Sequence, residues 1–264
     1  MTTPTLPDDL ELAHELADRA DAISAERFRA TDLVVTTKPD MTPVSDADQA
    51  VERAIRDHLT ASRPEDAILG EEYGTQGSST RQWIIDPIDG TSNFVRGVPV
   101  WATLISLAID GVPVLGVVSA PALGKRWWAA AGGGSWVRDS AGDRRIRVSQ
   151  VAELVDASLS YNSIQQWDAH GQLEPLIALS RQVWRTRAYG DMWSYMLLAE
   201  GLIDIAGEYD LQPYDMAALV PIVEEAGGTF TSMAGEAGPW HGSALATNTA
   251  LHEAVLAIVS PSSP

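Results

Sequence analysis

The amino-acid sequence predicts a layered fold that is α+β in its first half and α/β in its second half. Between residues 100 and 137, apolar runs alternate with turn residues such as Asp110 and Gly111, which is typical of antiparallel hairpins. In the second half, short apolar runs alternate with helical patterns, as expected for α/β order. At 264 residues, the chain is long enough for one large domain or two modest ones.

The N-terminal region predicts a long amphipathic helix over residues 8 to 30. Asp8 and Asp9 are candidate caps for this helix. Apolar residues follow at helical spacing, namely Leu12, Leu16, Ala20 and Ile23. Residues 31 to 44 have an extended pattern, with a turn predicted at residues 38 to 40.

A second helix is predicted to begin near Ser45. Ser45 and Asp48 resemble a capping box, in which each side chain bonds to the backbone amide of the other residue. One face of the helix is apolar through Val51, Ile55 and Leu59. On local pattern alone, Asp46 is typical of a residue at a helix start.

Acidic residues follow two predicted strands. The apolar run at residues 67 to 70 ends in Glu71 and Glu72, a pair that on its own is typical of a solvated turn. Residues 82 to 85 are apolar and partly β-branched, which predicts a short buried strand. We expect Pro87 to end that strand, because proline offers no backbone N–H to a sheet.

The segment after this strand has the pattern of a site for a cation and an anion. Asp86 and Asp89 are three residues apart, and Gly90 permits a tight turn, so both carboxylates can converge on one point. Two close carboxylates repel each other, which makes a hard cation their natural partner. Gly90 and Thr91 then offer backbone amides and a hydroxyl to an anion. This segment therefore predicts a metal-dependent phosphate site.

The polar stretch at residues 138 to 147 is the predicted crossover between two domains. The N-terminal α+β domain covers residues 1–145 and carries an antiparallel sheet, and the C-terminal α/β domain covers residues 146–264. Predicted strands of the second domain cover residues 157–161, 183–186, 202–206 and 244–247. Predicted helices cover residues 173–181, 191–200 and 216–226, with one more after residue 247. We expect residues 261–264 to be frayed.

Composition excludes several classes of function. With 18 basic and 36 acidic residues, the formal charge is −18, which argues against nucleic acid or an anionic membrane as a partner. A small anionic substrate stays compatible, because bound metal ions reverse the local field. The absence of cysteine excludes disulfides and thiol catalysis. No signal pattern and no apolar run of about 18 residues is present, so we expect a cytoplasmic protein.

The acidic residues at strand ends and helix starts indicate a function when they are taken together. The set comprises Asp46, Glu71, Asp86, Asp89 and Asp215. Taken singly, each is explained as a helix cap or an exposed turn residue. Taken together, they offer oxygen ligands without histidine or cysteine, which suits Mg²⁺. Two such ions about 3.5 to 4 Å apart would hold the entering and leaving oxygens of a phosphoryl transfer.

Three ordered motifs resemble those of the inositol monophosphatase family. They are Gly70-Glu71-Glu72, the segment from Trp83 to Thr91, and Tyr214-Asp215-Met216-Ala217-Ala218 followed by Glu225-Ala226-Gly227-Gly228. The resemblance extends over nearly the whole chain. It implies a layered αβαβα sandwich, Mg²⁺-dependent and lithium-sensitive hydrolysis of a small phosphomonoester, and a homodimer. It also implies about two or three Mg²⁺ ions in each active site.

The resemblance implies particular ligands for the metal and the phosphate. The implied metal ligands are Glu71, Asp86, the backbone carbonyl of Ile88, Asp89 and Asp215. The implied phosphate ligands are the backbone amides of Gly90 and Thr91. Ser92 stands where the family more often has lysine or threonine, which alters the rim of the predicted site and leaves metal binding intact.

The resemblance also implies catalytic roles. Thr91 and Asp46 would position and help deprotonate the metal-bound water that attacks phosphorus, with Glu71 as a third catalytic residue. Lys38 matches a family lysine in a nearby flap, on the substrate side. Tyr214 replaces a commoner tryptophan and keeps an aromatic wall beside the last aspartate.

Within the family, the sequence is most similar to the histidinol-phosphate phosphatases of actinobacteria. The supporting stretches are residues 93–101, 119–123, 126–130 and 184–191. This resemblance implies that Arg187 and Asp191 lie at the substrate pocket and that Glu208 touches the leaving group. Asp191 suits the ammonium or imidazole of histidinol phosphate, but a helix cap after Gly190 explains it equally well. Arg187 is either a phosphate or carboxylate partner or a surface charge.

Two other functions remain open from the sequence. One keeps the enzyme class and changes the substrate to inositol 1-phosphate or another sugar phosphate. The other is a metal-binding dimer that acts as a regulatory protein with little turnover.

Overall fold

A computed structural model of the chain describes residues 5–38 and 42–260. The strands of a small two-stranded sheet are β1 (Val35–Thr37) and β2 (Pro43–Ser45). The strands of a first large sheet are β3 (Ala67–Gly70), β4 (Gly74–Gln76), β5 (Arg81–Asp89), β6 (Ala102–Ile109), β7 (Val112–Ala120), β8 (Lys125–Ala130), β9 (Gly134–Asp139) and β10 (Gly142–Ile146). The strands of a second sheet are β11 (Ser158–Ser160), β12 (Arg185–Arg187), β13 (Ile205–Tyr209), β14 (Gly228–Thr231) and β15 (Ser243–Asn248).

The α-helices complete the element order. They are α1 (Leu6–Arg27), α2 (Asp46–Ser62), α3 (Thr91–Arg96), α4 (Ile164–Ala169), α5 (Leu173–Ser180), α6 (Asp191–Ala199), α7 (Pro213–Met216), α8 (Leu219–Glu225) and α9 (His252–Val259). Among the residues that the structure describes, no helix has the length and apolarity needed to cross a bilayer. Pro39 and Asp40 of the predicted turn, and the predicted frayed end at residues 261–264, lie outside the described residues.

The elements stack in layers. Helices α1 and α2 pack on one face of the first sheet, and α8 packs on its other face. Helices α6 and α8 contact each other and the second sheet, so they form a central helical layer. Helices α4, α5 and α9 lie on the far side of the second sheet. The predicted αβαβα sandwich is therefore confirmed.

The first sheet is an antiparallel meander with a parallel pair near one edge. Its strand order is β10-β9-β8-β7-β6-β5-β3-β4, and only β3 and β5 run parallel. The predicted hairpin turn at Asp110 and Gly111 is confirmed, because both residues have positive φ, at 52° and 79°. The parallel pair has a functional consequence, since it brings the ends of β3 and β5 to the same edge of the sheet.

The second sheet has the order β12-β11-β13-β15-β14. Strand β11 runs parallel to both β12 and β13, as the predicted α/β order requires, and β15 runs antiparallel to β13 and β14. The predicted helix over residues 216–226 is instead a pair of short helices, α7 and α8, so its N-terminal part belongs to a separate turn.

The N-terminal helix begins earlier than predicted. Thr5 caps α1 and forms a capping box with Asp8, so the helix starts at Leu6. Asp9 is not a cap: it is buried, and its two oxygens accept hydrogen bonds from Arg63 Nε at 3.0 Å and Arg81 at 2.9 Å.

The start of the second helix follows the prediction. The capping box between Ser45 and Asp48 opens α2, with the Ser45 amide 2.8 Å from Asp48 Oδ2. The predicted apolar face of Val51, Ile55 and Leu59 is buried against the first sheet.

Two predicted boundaries in the first sheet are wrong. Strand β5 continues through Pro87 to Asp89, because a register shift in its pairing with β6 accommodates the proline. The predicted crossover at residues 138–147 is mostly the hairpin of β9 and β10, whose polar side chains lie on an exposed edge. The chain passes from one sheet to the other after Ile146, and the division at residue 145 stays a prediction.

The two halves share a core and touch through their backbones. One buried cluster joins Trp127 and Val137 of the first sheet to Met196 and Ile222 of the central helices. A β carbon at Gly116 of β7 would overlap the carbonyl group of Ala218, between α7 and α8. The Ser106 hydroxyl of β6 donates to the Ala217 carbonyl at 3.1 Å. The turn that carries Asp215 is therefore docked directly on the first sheet.

A candidate metal and phosphate site

Three aspartates from the two halves form an acidic cluster. Asp86 pairs with Leu104 of β6, but Asp89 pairs with Ala102, so β5 has one extra residue between the two acids. This bulge aims both side chains at one point. The carboxylate oxygens of Asp86, Asp89 and Asp215 lie within 4.8 Å of one another. The predicted convergence of these acids is present in the structure.

Backbone amides of the second half hold two of these carboxylates. The Gln212 amide donates to Asp215 Oδ2 at 2.7 Å, so Asp215 is fixed at the start of α7. The Met192 amide, in the first turn of α6, donates to Asp89 Oδ2 at 2.8 Å. Asp215 is thus oriented by a local contact, whereas the contact of Asp89 with Met192 exists only when the two halves are assembled.

The electrostatics of the cluster favour a bound cation. Burial raises the pKa of Asp86 well above its usual value, and Glu71 and Asp89 raise it further. Burial likewise raises the pKa of Asp89, followed by repulsion from Asp191, and it raises the pKa of Asp215 to about 6. Among the described residues, Asp86 Oδ1 is a buried oxygen without a hydrogen-bond partner. Uncompensated carboxylate oxygens of this kind fit a hard metal ion.

Glu71 lies beside the cluster at the end of β3. Because Gly70 pairs with Ile85 in the parallel register, the residue after it follows the same edge of the sheet as Asp86. Lys38 Nζ lies 2.6 Å from Glu71 Oε1 and 2.7 Å from Glu72 Oε1. Burial raises the pKa of Glu71. The structure therefore brings Lys38 and Glu71 together at one side of the site.

Thr91 contacts Asp48 and not Asp46, the acid predicted to act with it on the attacking water. The Thr91 hydroxyl lies 2.9 Å from Asp48 Oδ1 and 2.9 Å from the Ile88 carbonyl oxygen. Asp46 instead pairs with Arg27 at 2.7 Å, and its side chain is 40% exposed. Residues two positions apart in a helix point to nearly opposite sides, so Asp46 and Asp48 cannot both face Thr91. The acid beside Thr91 is therefore Asp48, and the catalytic role predicted for Asp46 stays a prediction.

Gly90 and α3 form the anion side of the site. Gly90 has a φ of 82°, and a β carbon there would lie 3.0 Å from the Val100 carbonyl oxygen, so glycine is required. Asn93 of α3 donates from Nδ2 to Asp191 Oδ2 at 2.7 Å and to Val100 at 3.0 Å. Ser92 is exposed at the rim. This arrangement leaves backbone of the Gly90 turn facing the acidic cluster.

A cavity of about 300 Å³ opens above these residues. The side that carries the acidic cluster is lined by Glu71, Asp86, Ile88, Asp89, Gly90, Thr91, Ser92 and Asp215, together with Thr42 and Pro43. Its other side is lined by Gln166, Asp191, Glu208, Asp210, Leu211, Gln212 and Tyr214. No lysine, arginine or histidine lines it within the described part of the chain. The predicted aromatic wall of Tyr214 is present.

Asp191 and Glu208 form the acidic part of the second side. Asp191 follows Gly190 with a φ of 50°, and its carboxylate faces Asn93 and the Gly90 turn, so it does not act as a cap. Burial raises the pKa of Asp191 to about 6. Burial, with repulsion from Asp191, raises the pKa of Glu208 to about 8. Asn162 and the Tyr195 hydroxyl donate to Glu208.

Arg187 does not reach the cavity. It lies exposed on β12, the edge strand of the second sheet, and its Nη1 donates to the Thr186 carbonyl at 2.7 Å. The prediction that Arg187 lines the substrate pocket is therefore not met within the chain. Its side chain has the environment of a surface charge.

Sequence reasoning missed several residues that the structure brings to the site. Asp48 had a visible signal, the capping box, but that signal accounts for only one of its two oxygens. Asp210 lines the cavity with a φ of 61°, and Gln166 and Gln212 line it from loops and a short helix. These three follow no local pattern of charge or spacing.

Comparison with known proteins gives the family. The model of the inositol monophosphatase family matches residues 7–263. A histidinol-phosphatase of Streptomyces coelicolor is 55% identical over 258 residues, covering 96% of this chain and 97% of the relative. A histidinol-phosphatase of Mycobacterium tuberculosis is 58% identical over 253 residues, covering 94% and 96%. A solved inositol monophosphatase from Zymomonas mobilis superposes with a TM-score of 0.86 at 34% identity, covering 98% of this chain and 100% of that chain. The family match over nearly the whole length agrees with the acidic cluster and the layered fold, and the chain belongs to the inositol monophosphatase family.

Proposed function

We propose that the chain is a Mg²⁺-dependent phosphomonoesterase that hydrolyses L-histidinol phosphate to L-histidinol and phosphate, a step of histidine biosynthesis. Two relatives named histidinol-phosphatase are 55% and 58% identical to this chain, and the matches cover almost the full length of both relatives. The observation that carries the substrate proposal is the charge of the cavity on the side away from the acidic cluster. By family resemblance alone, we also propose a homodimer that works in the cytoplasm.

The leaving-group side of the cavity suits a cation. The side-chain partners of Asp191 and Glu208 are the neutral groups of Asn93, Asn162 and Tyr195. Beside a neutral polyol, these two buried acids would either keep a proton or carry a charge without a positive partner, and the charged form costs free energy. The ammonium and imidazole of histidinol phosphate supply that partner. The cavity of about 300 Å³ is of the size class of small-molecule sites.

The acidic cluster fits the metal that the family uses. We assign Glu71, Asp86, Asp89, Asp215 and the Ile88 carbonyl as the residues that hold about two or three Mg²⁺ ions. When bound, such ions supply positive charge to the phosphate and lower the pKa of water. Asp86 Oδ1, which is buried and lacks a partner in the described chain, is the oxygen that most requires this charge.

The remaining residues bind the phosphate and move a proton. The backbone of Gly90 and Thr91 holds phosphate oxygens, and Asp191 and Glu208 hold the cationic leaving group. The Thr91 hydroxyl orients the attacking water. It takes a proton from that water as it gives its own proton to Asp48, whose pKa is raised by burial. As the water oxygen bonds to phosphorus, the ester bond breaks, the histidinol oxygen takes a proton from a second water molecule, and Asp48 returns its proton to solvent.

A substrate panel tests this function. Phosphate release is measured with Mg²⁺ on histidinol phosphate, inositol 1-phosphate, fructose 1,6-bisphosphate and adenosine 3′,5′-bisphosphate. We expect a clear preference for histidinol phosphate. A preference for any other member would replace the substrate proposal. A chain that binds Mg²⁺ yet hydrolyses none of them would favour the regulatory alternative.

A matched pair of variants tests the cation argument. Asp191→Asn should lower kcat/KM for histidinol phosphate by about 10-fold to 100-fold, the value of a charged hydrogen bond. Its effect on residual hydrolysis of neutral inositol 1-phosphate should be much smaller. Asp143→Asn is the control and should change neither rate, because Asp143 lies on β10 in an exposed ion pair with Arg138 of β9. Equal losses on both substrates would contradict a cation-binding role for Asp191.

A further inference from the structure

Helix α2 has a buried face of ionisable residues directed at the site. Asp48, Glu52 and Arg56 are spaced by four residues, so their side chains lie on one side of the helix. Their exposures are 0%, 0% and 7%. Buried charges require partners, and each of the three finds them in a different place. Asp48 contacts Thr91, whereas the other two contact the segment around Glu71.

Glu52 accepts hydrogen bonds from the backbone just after Glu71. Its Oε2 accepts from the Glu72 amide at 2.6 Å, and its Oε1 accepts from the Tyr73 amide at 3.1 Å. The turn between β3 and β4 therefore wraps around one carboxylate. Gly70, the residue before Glu71, lies so close that a β carbon would overlap the Glu52 carboxylate. The residues before and after Glu71 thus both lie against the Glu52 side chain.

Arg56 completes the arrangement. Its Nε donates to Glu52 Oε1 at 2.7 Å, and its other nitrogens donate to the Gly74 carbonyl and to Gln76 Oε1 at 3.4 Å. The ion pair consequently binds the turn of the β3–β4 hairpin and its second strand, β4. A charged acceptor for two successive amides holds the turn more firmly than neutral contacts would.

We propose that Glu52 is a positioning residue that sets the metal affinity of the site by fixing the turn that carries Glu71. The inference rests on the proposed function only for the assignment of Glu71 as a metal ligand. Glu52 itself contacts the backbone on either side of Glu71 and not the acidic cluster. Residues that orient metal ligands change metal affinity by about 10-fold to 100-fold when replaced.

The conservative variant Glu52→Gln gives a sharp test. If the amide oxygen of glutamine takes the place of Oε1, its NH₂ group faces the Glu72 amide, and two donors oppose each other. The turn then loses one of its two anchors while the side-chain volume is kept. Mg²⁺ binding to the metal-free chain is measured by calorimetry without substrate, and the melting temperature is measured in chelator.

Asp9→Asn is the matched control. Asp9 is also a buried carboxylate held by arginines, Arg63 and Arg81, but it lies at the start of α1 and makes no contact with the turn of Glu71. Both variants should lower the melting temperature. Only Glu52→Gln should raise the Kd for Mg²⁺, by about 10-fold to 100-fold. Arg56→Lys, which keeps the charge and loses the fork of donors, should raise that Kd by a smaller factor and serves if Glu52→Gln does not fold.

The outcomes separate this inference from the proposed function. An unchanged Mg²⁺ affinity in Glu52→Gln, or an equal loss in Asp9→Asn, would show a purely structural role and overturn the inference. In the assay with histidinol phosphate, excess Mg²⁺ should restore most of kcat in Glu52→Gln. If the wild type hydrolyses no histidinol phosphate, the proposed substrate fails, but the Mg²⁺ affinities still decide the role of Glu52.

Discussion

Replacing Glu208 with glutamine should stabilise the metal-free protein at alkaline pH. Burial, aided by Asp191 and Asp215, raises the pKa of Glu208 from its usual 4.5 to about 8. The folded chain therefore holds this proton where the unfolded chain has lost it. For a carboxyl group with a raised folded pKa, stability falls as pH rises from about 4.5, and the loss is complete above about pH 8.

The size of the effect follows from the same pKa. A rise from 4.5 to about 8, at about 1.4 kcal/mol per pH unit, corresponds to about 5 kcal/mol. Water in the adjoining cavity hydrates the carboxylate in part and screens its repulsion from Asp191 and Asp215, so we expect about 2 to 3 kcal/mol. For a chain of this length, that gain raises the melting temperature by about 5 to 10 °C. Glutamine fits, because the Tyr195 hydroxyl can accept as well as donate.

Thermal unfolding in chelator provides the assay. At about pH 5 the Glu208→Gln variant and the wild type should melt at similar temperatures, and at about pH 8.5 the variant should melt higher. Glu253→Gln, at an exposed position of α9, is the control and should follow the wild type at both pH values. A variant that is less stable than the wild type by the same amount at both pH values would refute the reasoning.

Three further predictions concern the site and the junction of the two halves. Asp86→Asn should abolish Mg²⁺ binding and lower phosphate release by more than about 1000-fold, because it removes a buried ligand; binding is checked by calorimetry. Thr91→Ala and Asp48→Asn should each lower kcat by about 100-fold or more with little change in KM, whereas Asp46→Asn should stay within about 2-fold; a large loss of kcat in Asp46→Asn alone would support the catalytic role first predicted for Asp46. Gly116→Ala should destabilise the fold by about 1 to 3 kcal/mol, measured by urea unfolding, since its β carbon overlaps a backbone carbonyl.

Local patterns were sufficient for the parts of the site that one segment builds. Asp86, Asp89 and Gly90 lie on one strand end and turn, so their spacing predicted a convergence that the structure contains. The hairpin at Asp110 and Gly111 was predictable for the same reason. The continuation of β5 through Pro87 was not, because a bulge depends on how the neighbouring strand pairs.

The remaining features of the site depend on contacts between segments that are distant in sequence. Asp46 and Asp48 are both acids at one helix start, and only the position of Thr91 on another element shows which faces the site. Asp48 was not predicted as a site residue, because its role in the capping box already explained an acid at that position. Arg187 faces solvent because β12 is an edge strand, and strand order in a sheet is a property of the assembled chain.

The close approach at Gly116 bears on how the enzyme tolerates change. The turn of Asp215 rests on the backbone of β7 at Gly116, so main-chain atoms help to set the distance between Asp215 and Asp86. Main-chain contacts keep their geometry when neighbouring side chains mutate. Asp191, Glu208 and the loops of the leaving-group side lie outside this contact. Selection or engineering can therefore vary the residues around the substrate alcohol while the acidic cluster keeps its spacing.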